Sequence, residues 1–333
     1  TFIEKYQNII PKENMYFLSV RPDAESNDTL FLHEITNTTT SSNAQHKLKV
    51  LNTDIPYGVP PTAYQPVIGF RLQTNDTRVL SAVYHNNAIH YVQSSILTDD
   101  IRSGIYHGII STVDETPSVS GKLIHSNELD FAYPSIAFAG ETFSDNHSML
   151  ITFSHVGEND YAGTSAVYHN KSDGLESIYS DVIRLKSGDS LINTFVADTA
   201  ERWGDYTDIQ RKYNEPGVVW LCGSYGDSLG RNNVWISKLK VKNGLIVKDK
   251  ILVYPNPVES SVEVSITFED DDQVSIQLVD VTGSVVREIL NEPVKKGNAR
   301  FLLNVEGLSS GVYFLAVYDQ KGQKTNSQKI IVK

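Results

Sequence analysis

Apolar positions along the chain come in short runs rich in β-branched and aromatic residues, set apart by clusters of Asn, Asp, Gly and Ser. Such runs read as strands, and the chain as all-β. Three of them look alike: VLSAVYH from 79, MLITFSH from 149 and VVWLCGSY from 218, with starts 70 and 69 residues apart. A second run follows each, GIYHGII from 104, SAVYHN from 165 and NVWISKLKV from 233, at intervals of 61 and 68. A looser pair, MYFLSV from 15 and LFLHEIT from 30, extends the series to about four units before residue 245. Strand pairs at a long fixed period predict a radial repeat, because one sheet cannot bury both faces alone and must stack on neighbours. The expectation for residues 1–245 is a β-propeller of about four repeat units, with extended loops such as GENDYAG at 157–163. Four blades make a small ring, and the abrupt start predicts an incomplete one, with further blades upstream of Thr1.

Near residue 245 the character changes. VKNGLIVKDKILVYPNPV passes through a Lys-rich join into Pro-Asn-Pro, and six alternating runs follow, at 262–268, 274–280, 284–290, 299–305, 311–319 and 328–333. Asp, Gly, Lys and Ser turns separate them. Residues 246–333 are therefore expected to form a small immunoglobulin-like β-sandwich.

Composition narrows the function. Of 333 residues 40% are hydrophobic, enough for sizeable cores, and Lys plus Arg at 29 against Asp plus Glu at 40 leaves a net charge of -11, which gives nucleic acid no electrostatic reason to bind. No run of about 18 apolar residues is present to cross a membrane as a helix, and TFIEKYQNII lacks the layout of a signal peptide. A single cysteine, Cys222, excludes an internal disulfide and any CxxC metal site, and in VVWLCGSY it reads as a small apolar residue of a buried strand.

Four C-terminal elements occur in order: VYPNPV at 253–258, LVDVTGSVV at 278–286, LSSGVYFLAV at 308–317 and KIIVK at 329–333. Each alone is turn chemistry, Pro255 and Pro257 a rigid start to a strand, Gly283 and Gly311 turns needing φ > 0. Together they resemble the type A sorting domain of the type IX secretion system of Bacteroidetes. The resemblance implies an exported cargo, carried to the periplasm, passed through an outer-membrane translocon and shuttle barrel, and delivered to the cell surface or secreted. The recognition residues it implies are Pro255, Asn256, Pro257, Gly283, Gly311, Tyr313 and the terminal Lys329, Ile330, Ile331, Val332 and Lys333. An exposed last strand at 329–333 would offer unpaired backbone groups to the machinery by edge addition.

The first 245 residues resemble a sialidase-like or generic secreted propeller, chiefly through RWGDYTD at 202–208. For Arg202, Trp203, Gly204, Asp205 and Tyr206 a structural role is expected, with Asp205 accepting backbone hydrogen bonds at a tight turn and Arg202 paired to a carboxylate of the adjoining blade. A sialidase also needs an arginine cluster, a Tyr with a Glu, and an acidic Asp. Arginines stand at 71, 78, 102, 184, 202, 211 and 231, but none lies in a matching motif, and the Ser-x-Asp-x-Gly-x-Thr-Trp box is absent. Histidines 85, 107, 155 and 169 follow strand cores without HxH or HExxH spacing, so they read as satisfied blade-edge residues, and no catalytic residue, metal or cofactor is expected. Asp-(Ser/Thr)-(apolar or small), an O-glycosylation pattern of Bacteroidetes, marks Thr29, Ser190, Thr199 and Ser228. Two functions stay open: a non-enzymatic propeller platform binding a glycan or protein ligand, or a glycan-active hydrolase completed by upstream blades.

Overall fold

Strand follows strand along the chain, and the reason lies in how the sheets cover one another. The computed structural model describes residues 14–37, 43–97, 101–140, 147–171, 177–194, 200–242, 245–248, 251–268 and 271–333. Its regular elements are all strands, and the chain divides into two compact units, Thr1–Val247 and Lys248–Lys333.

The first unit opens with an antiparallel sheet of β1 (Met15–Ser19), β2 (Asn27–Thr36) and β3 (Gln45–Tyr57). A short pair, β4 (Ala63–Tyr64) and β5 (Arg71–Leu72), leads to a second sheet of β6 (Ser81–His85), β7 (Ala88–Ile96), β8 (Ser103–Ser111) and β9 (Ser118–Ile124). The third holds β10 (Leu129–Phe138), β11 (Met149–Gly157) and β12 (Asp160–Asn170), with β13 (Ile178–Tyr179) and β14 (Ile183–Lys186) both paired to β12. The fourth runs β15 (Asp208–Arg211), β16 (Val218–Gly226), β17 (Asn232–Lys242) and β18 (Leu245–Lys248).

These sheets stack face to face in chain order. Leu30, Leu32 and Tyr57 of the first meet Ile89, Tyr91 and Tyr106 of the second. On its other face the second sheet sets Val92 and Ile105 against Phe138, Met149 and Val167 of the third. The third in turn packs Leu150, Ala166 and Tyr168 on Ile209, Leu221 and Leu239 of the fourth. Inner sheets are covered twice, which is why β10 and β11 are buried at every position instead of alternating. Among the described residues the first sheet is covered once, and β2 keeps the period of two, Leu30 and Leu32 inward, Phe31 and His33 less buried.

The repeat is real but differs in register from the one read in the sequence. Second strands of the four sheets begin at 27, 88, 149 and 218, that is 61, 61 and 69 residues apart. The run at 79 belongs to β6, a first strand, whereas those at 149 and 218 are the second strands β11 and β16. Strands of one composition do not announce their order. Nor is GENDYAG an extended loop: Gly157 pairs with Asp160, leaving Glu158 and Asn159 as a two-residue hairpin turn. Cys222 is half-buried on the outer face of β16, opposite the core, and donates to the Tyr206 carbonyl at 3.1 Å.

The second unit comprises β19 (Ile251–Tyr254), β20 (Ser261–Phe268), β21 (Asp272–Val279), β22 (Val285–Val294), β23 (Gly297–Asn304), β24 (Gly311–Tyr318) and β25 (Lys324–Val332). One sheet is ordered β19-β20-β23 and the other β22-β21-β24-β25. Val262, Val264, Ile276, Leu278, Leu315 and Ile330 form their shared core. At the β21–β22 turn the Asp280 carboxylate accepts from the Thr282 and Ser284 amides, and Gly283 takes the left-handed φ of +87° that closes it.

Candidate functional site

In the first unit RWGDYTD folds as a plug and a rim. Trp203 is buried, its indole N–H donating to the Gln73 carbonyl at 2.7 Å and its ring standing edge-on to Tyr133 at 6.0 Å. Gly204 sits at φ +71°, and a Cβ there would lie 2.3 Å from the Tyr133 ring, so glycine is required twice over. Arg202 does not reach a neighbouring sheet. It pairs with Asp205 of its own turn at 3.2 Å, the two being only three residues apart and both facing solvent. Tyr206 projects outward, 83% exposed.

Around this turn lies an open cleft of about 540 Å³, lined among others by Ser81, Tyr133, Ser135, Asp205, Tyr206 and Asp208. Tyr133 holds φ at +54° just before Pro134, where the β10–β11 register breaks. A bulky residue in that region is strained, and here the strain is held by the Tyr133 hydroxyl on the Gln73 carbonyl and by its amide on Ser94.

In the second unit the edge strand β25 ends the chain's last sheet. Ile330 and Val332 point into the core while Lys329 and Lys333 face out. The backbone of 329–333 is not unpaired, contrary to expectation. The Asn256 side chain donates to the Lys329 carbonyl at 2.8 Å and accepts from the Ile331 amide at 2.9 Å. Val258 continues the clamp, its amide donating to the Ile331 carbonyl at 2.8 Å and its carbonyl accepting from the Lys333 amide at 2.9 Å. Pro255 and Pro257, both on cis peptides, flank the asparagine that mimics a strand. Tyr313 on β24 pairs with Ile330 and donates to the Ser309 carbonyl at 2.8 Å. Gly311 starts β24 opposite Val332, outside the positive-φ glycines, so the left-handed turn expected of it is absent.

Residues 252–333 match the secretion system C-terminal sorting domain family. This sorting domain implies interaction with the type IX secretion machinery, and the protein is exported across the outer membrane to the cell surface or medium. No curated protein matches the chain. Among solved structures, 97% of the chain is similar to PorZ, an essential surface component of the type IX secretion system of Porphyromonas gingivalis, at 12% identity and a TM-score of 0.26. Over 96% it is similar to dimeric latent PorU of Porphyromonas gingivalis, at 10% identity and a TM-score of 0.22. The chain spans 58% and 34% of their lengths, and neither likeness carries an argument.

Ahead of the sorting domain, Ser228 is exposed at the tip of the β16–β17 turn, where Asp227 is held by the Leu229 and Arg231 amides and by the Arg231 side chain. Thr29 is half-buried within β2, Ser190 is half-buried in the loop after β14, and Thr199 lies outside the described residues.

The histidines depart furthest from expectation. His85, 9% exposed, stacks on Phe138 at 4.0 Å, and His155, fully buried, meets Ser165 Oγ at 2.8 Å. His107 and His169 are not blade-edge residues: both are fully buried and converge with His90, one nitrogen from each lying within 4.8 Å of the others. Consecutive strands β7 and β8 of the second sheet and β12 of the third supply this cluster, so no short spacing motif could reveal it. The Tyr-His pairs at 106–107 and 168–169 mark two of its members, whereas His90 follows Ile89 and carries no such signal.

Proposed function

We propose that the sorting domain, an immunoglobulin-like sandwich of residues 246–333, delivers a β-propeller-like repeat domain of residues 1–245 that serves as a non-enzymatic binding platform for a glycan or protein ligand on the surface of a Bacteroidetes cell. The observation that carries the binding role is the cleft: its lining of tyrosine, serine and aspartate beside the strained Tyr133 supplies stacking faces and hydrogen bonds, and holds no arginine among its described residues. Arg202, beside the cleft in the same turn, is paired with Asp205. A sialidase-like hydrolase, which needs an arginine cluster facing carboxylates, is the less favoured reading.

Four sheets stacked in chain order support the propeller reading, and exposed Phe17, Val50, Trp220 and Ile236 on the outer faces of the first and last sheets are where further blades would pack. Among the described glycan-acceptor candidates Ser228 is the most exposed.

Two experiments test this. Tyr206→Ala with Asp205→Ala is expected to weaken binding to isolated surface glycans or surface proteins at least tenfold without unfolding the domain; turnover of a sialoside by the native chain would overturn the platform reading. Removing residues 329–333 is expected to leave the repeat domain folded in the periplasm, and normal surface delivery of that truncated chain would place the signal elsewhere.

A further inference from the structure

The interface between the second and third sheets of the first unit ends in a knot of imidazoles. His90 pairs with Ile109 and Val92 with His107, so both histidines leave β7 and β8 on the face that carries Val92 and Ile105. His169 pairs with Met149 and shares its face of β12, which looks back at the same core. Tyr179 pairs with His169 from β13.

Hydrogen bonds link most of these groups into one chain. The Tyr179 hydroxyl is 2.8 Å from His107 Nδ1, His107 Nε2 is 3.1 Å from His90 Nδ1, and His90 Nε2 is 3.2 Å from His147 Nδ1. Such a chain satisfies His90 and His107. It does nothing for His169, whose ring lies 4.8 Å from His107 and 5.4 Å from His90. Neither nitrogen of that fully buried ring makes a hydrogen bond of normal geometry, the His147 main chain being the polar group that acts on it. A buried imidazole without a partner is costly, and here one such ring brings a nitrogen within 4.8 Å of a nitrogen on each of two others.

We propose that His90, His107 and His169 coordinate a zinc-class divalent cation, clasping the second sheet to the third. The donors are three imidazole nitrogens with no carboxylate or thiolate among them, which suits zinc and excludes calcium and magnesium. Zinc–nitrogen bonds of about 2.0–2.1 Å set neighbouring donors roughly 3.3–3.4 Å apart around a tetrahedron. His90 Nδ1 and His107 Nε2 already stand at 3.1 Å, and His169, within 4.8 Å of them, needs to close by up to about 1.4 Å. Binding releases no net proton: the ring that carries the hydrogen between His90 and His107 shifts it to its own outer nitrogen, which frees both inner nitrogens for the ion and leaves His107 Nδ1 donating to Tyr179 and His90 Nε2 to His147. Burial, and for His90 and His107 the neighbouring histidines, holds His90 and His107 well below the usual imidazole range and His169 at about 4, so all three are neutral ligands at pH 7.

The surface offers a competing pair, His33 Nδ1 and His46 Nε2 at 3.0 Å, so the test starts from the full chain carrying His33→Ala and His46→Ala. After chelation and desalting, Zn²⁺ alone is titrated calorimetrically and Co²⁺ by visible absorption. The expected result is one equivalent bound, the intense absorption of four-coordinate cobalt, and a melting temperature raised by about 5–10 °C at a hundredfold excess over Kd. His169→Phe is expected to lower affinity at least about 100-fold and Tyr179→Phe about tenfold, while His155→Gln leaves it unchanged. If His169→Phe fails to fold, zinc-edge X-ray absorption of the parent decides, with three imidazoles at about 2.0 Å expected. No stoichiometric binding once the surface pair is removed, unchanged affinity in a folded His169→Phe, or an edge spectrum without imidazole would each overturn the site.

Discussion

Acidification is expected to destabilise the first unit through a histidine outside the metal cluster. His155 of β11 is fully buried, with Nδ1 2.8 Å from Ser165 Oγ and Nε2 unbonded. Protonation would place a cation without solvent; burial, reinforced by Arg184 and partly opposed by Asp160, brings its pKa from 6.5 to about 4. The unfolded chain takes up the proton first as pH falls, so the stabilisation is complete above pH 6.5, erodes below it and is gone below about pH 4. The full difference is about 3 kcal/mol, most of which falls between pH 7 and pH 4.5. Urea unfolding followed by tryptophan fluorescence reads this unit selectively, because Trp203, Trp220 and Trp235 all precede residue 248. His155→Gln starts from a different stability, so the quantity compared is the loss between the two pH values, in which the other histidines cancel. The native chain should lose about 2 kcal/mol more than the variant; equal losses within about 0.5 kcal/mol would refute a neutral buried His155.

Other substitutions probe other parts. Asn256→Ala removes both clamp bonds to β25 and should cost about 1–2 kcal/mol, read as earlier unfolding of the sorting domain and faster hydrogen exchange at the Ile331 amide. Phe153→Ala, which empties the packing against Phe131 at 4.6 Å, should cost about 3–5 kcal/mol in urea unfolding. Gly204→Ala meets both a φ of +71° and the Tyr133 ring, and should cost at least about 1–3 kcal/mol while displacing Tyr133 from the cleft, measured by unfolding and by ligand binding.

The all-β character was legible because strand runs such as MLITFSH at 149 are buried on both faces and so stand out as continuous apolar segments. Their order within a sheet was not, since β6 and β11 share a composition while holding different places. The terminal motifs announced a sorting domain, yet the job of Asn256 is a side chain imitating a neighbouring strand, and nothing in YPNPV specifies its partner. Cys222 was misread because an apolar run implies burial without saying which face is covered; its neighbour Trp220 is 43% exposed on the same face. The imidazole cluster depends wholly on topology, joining residues 90, 107 and 169 through sheets that meet only after folding.

The clamp on β25 also has a mechanical meaning. Val258 and Val332 pair in parallel, so the segment leading into the sorting domain and the segment leading out of it run side by side in one direction. Tension between residue 251 and Lys333 therefore slides the two past each other, loading the Asn256 and Val258 bonds together instead of peeling them one at a time. A partner that grips the last residues pulls on a handle that resists in shear, and the load passes into the folded domain as a whole before any strand leaves it.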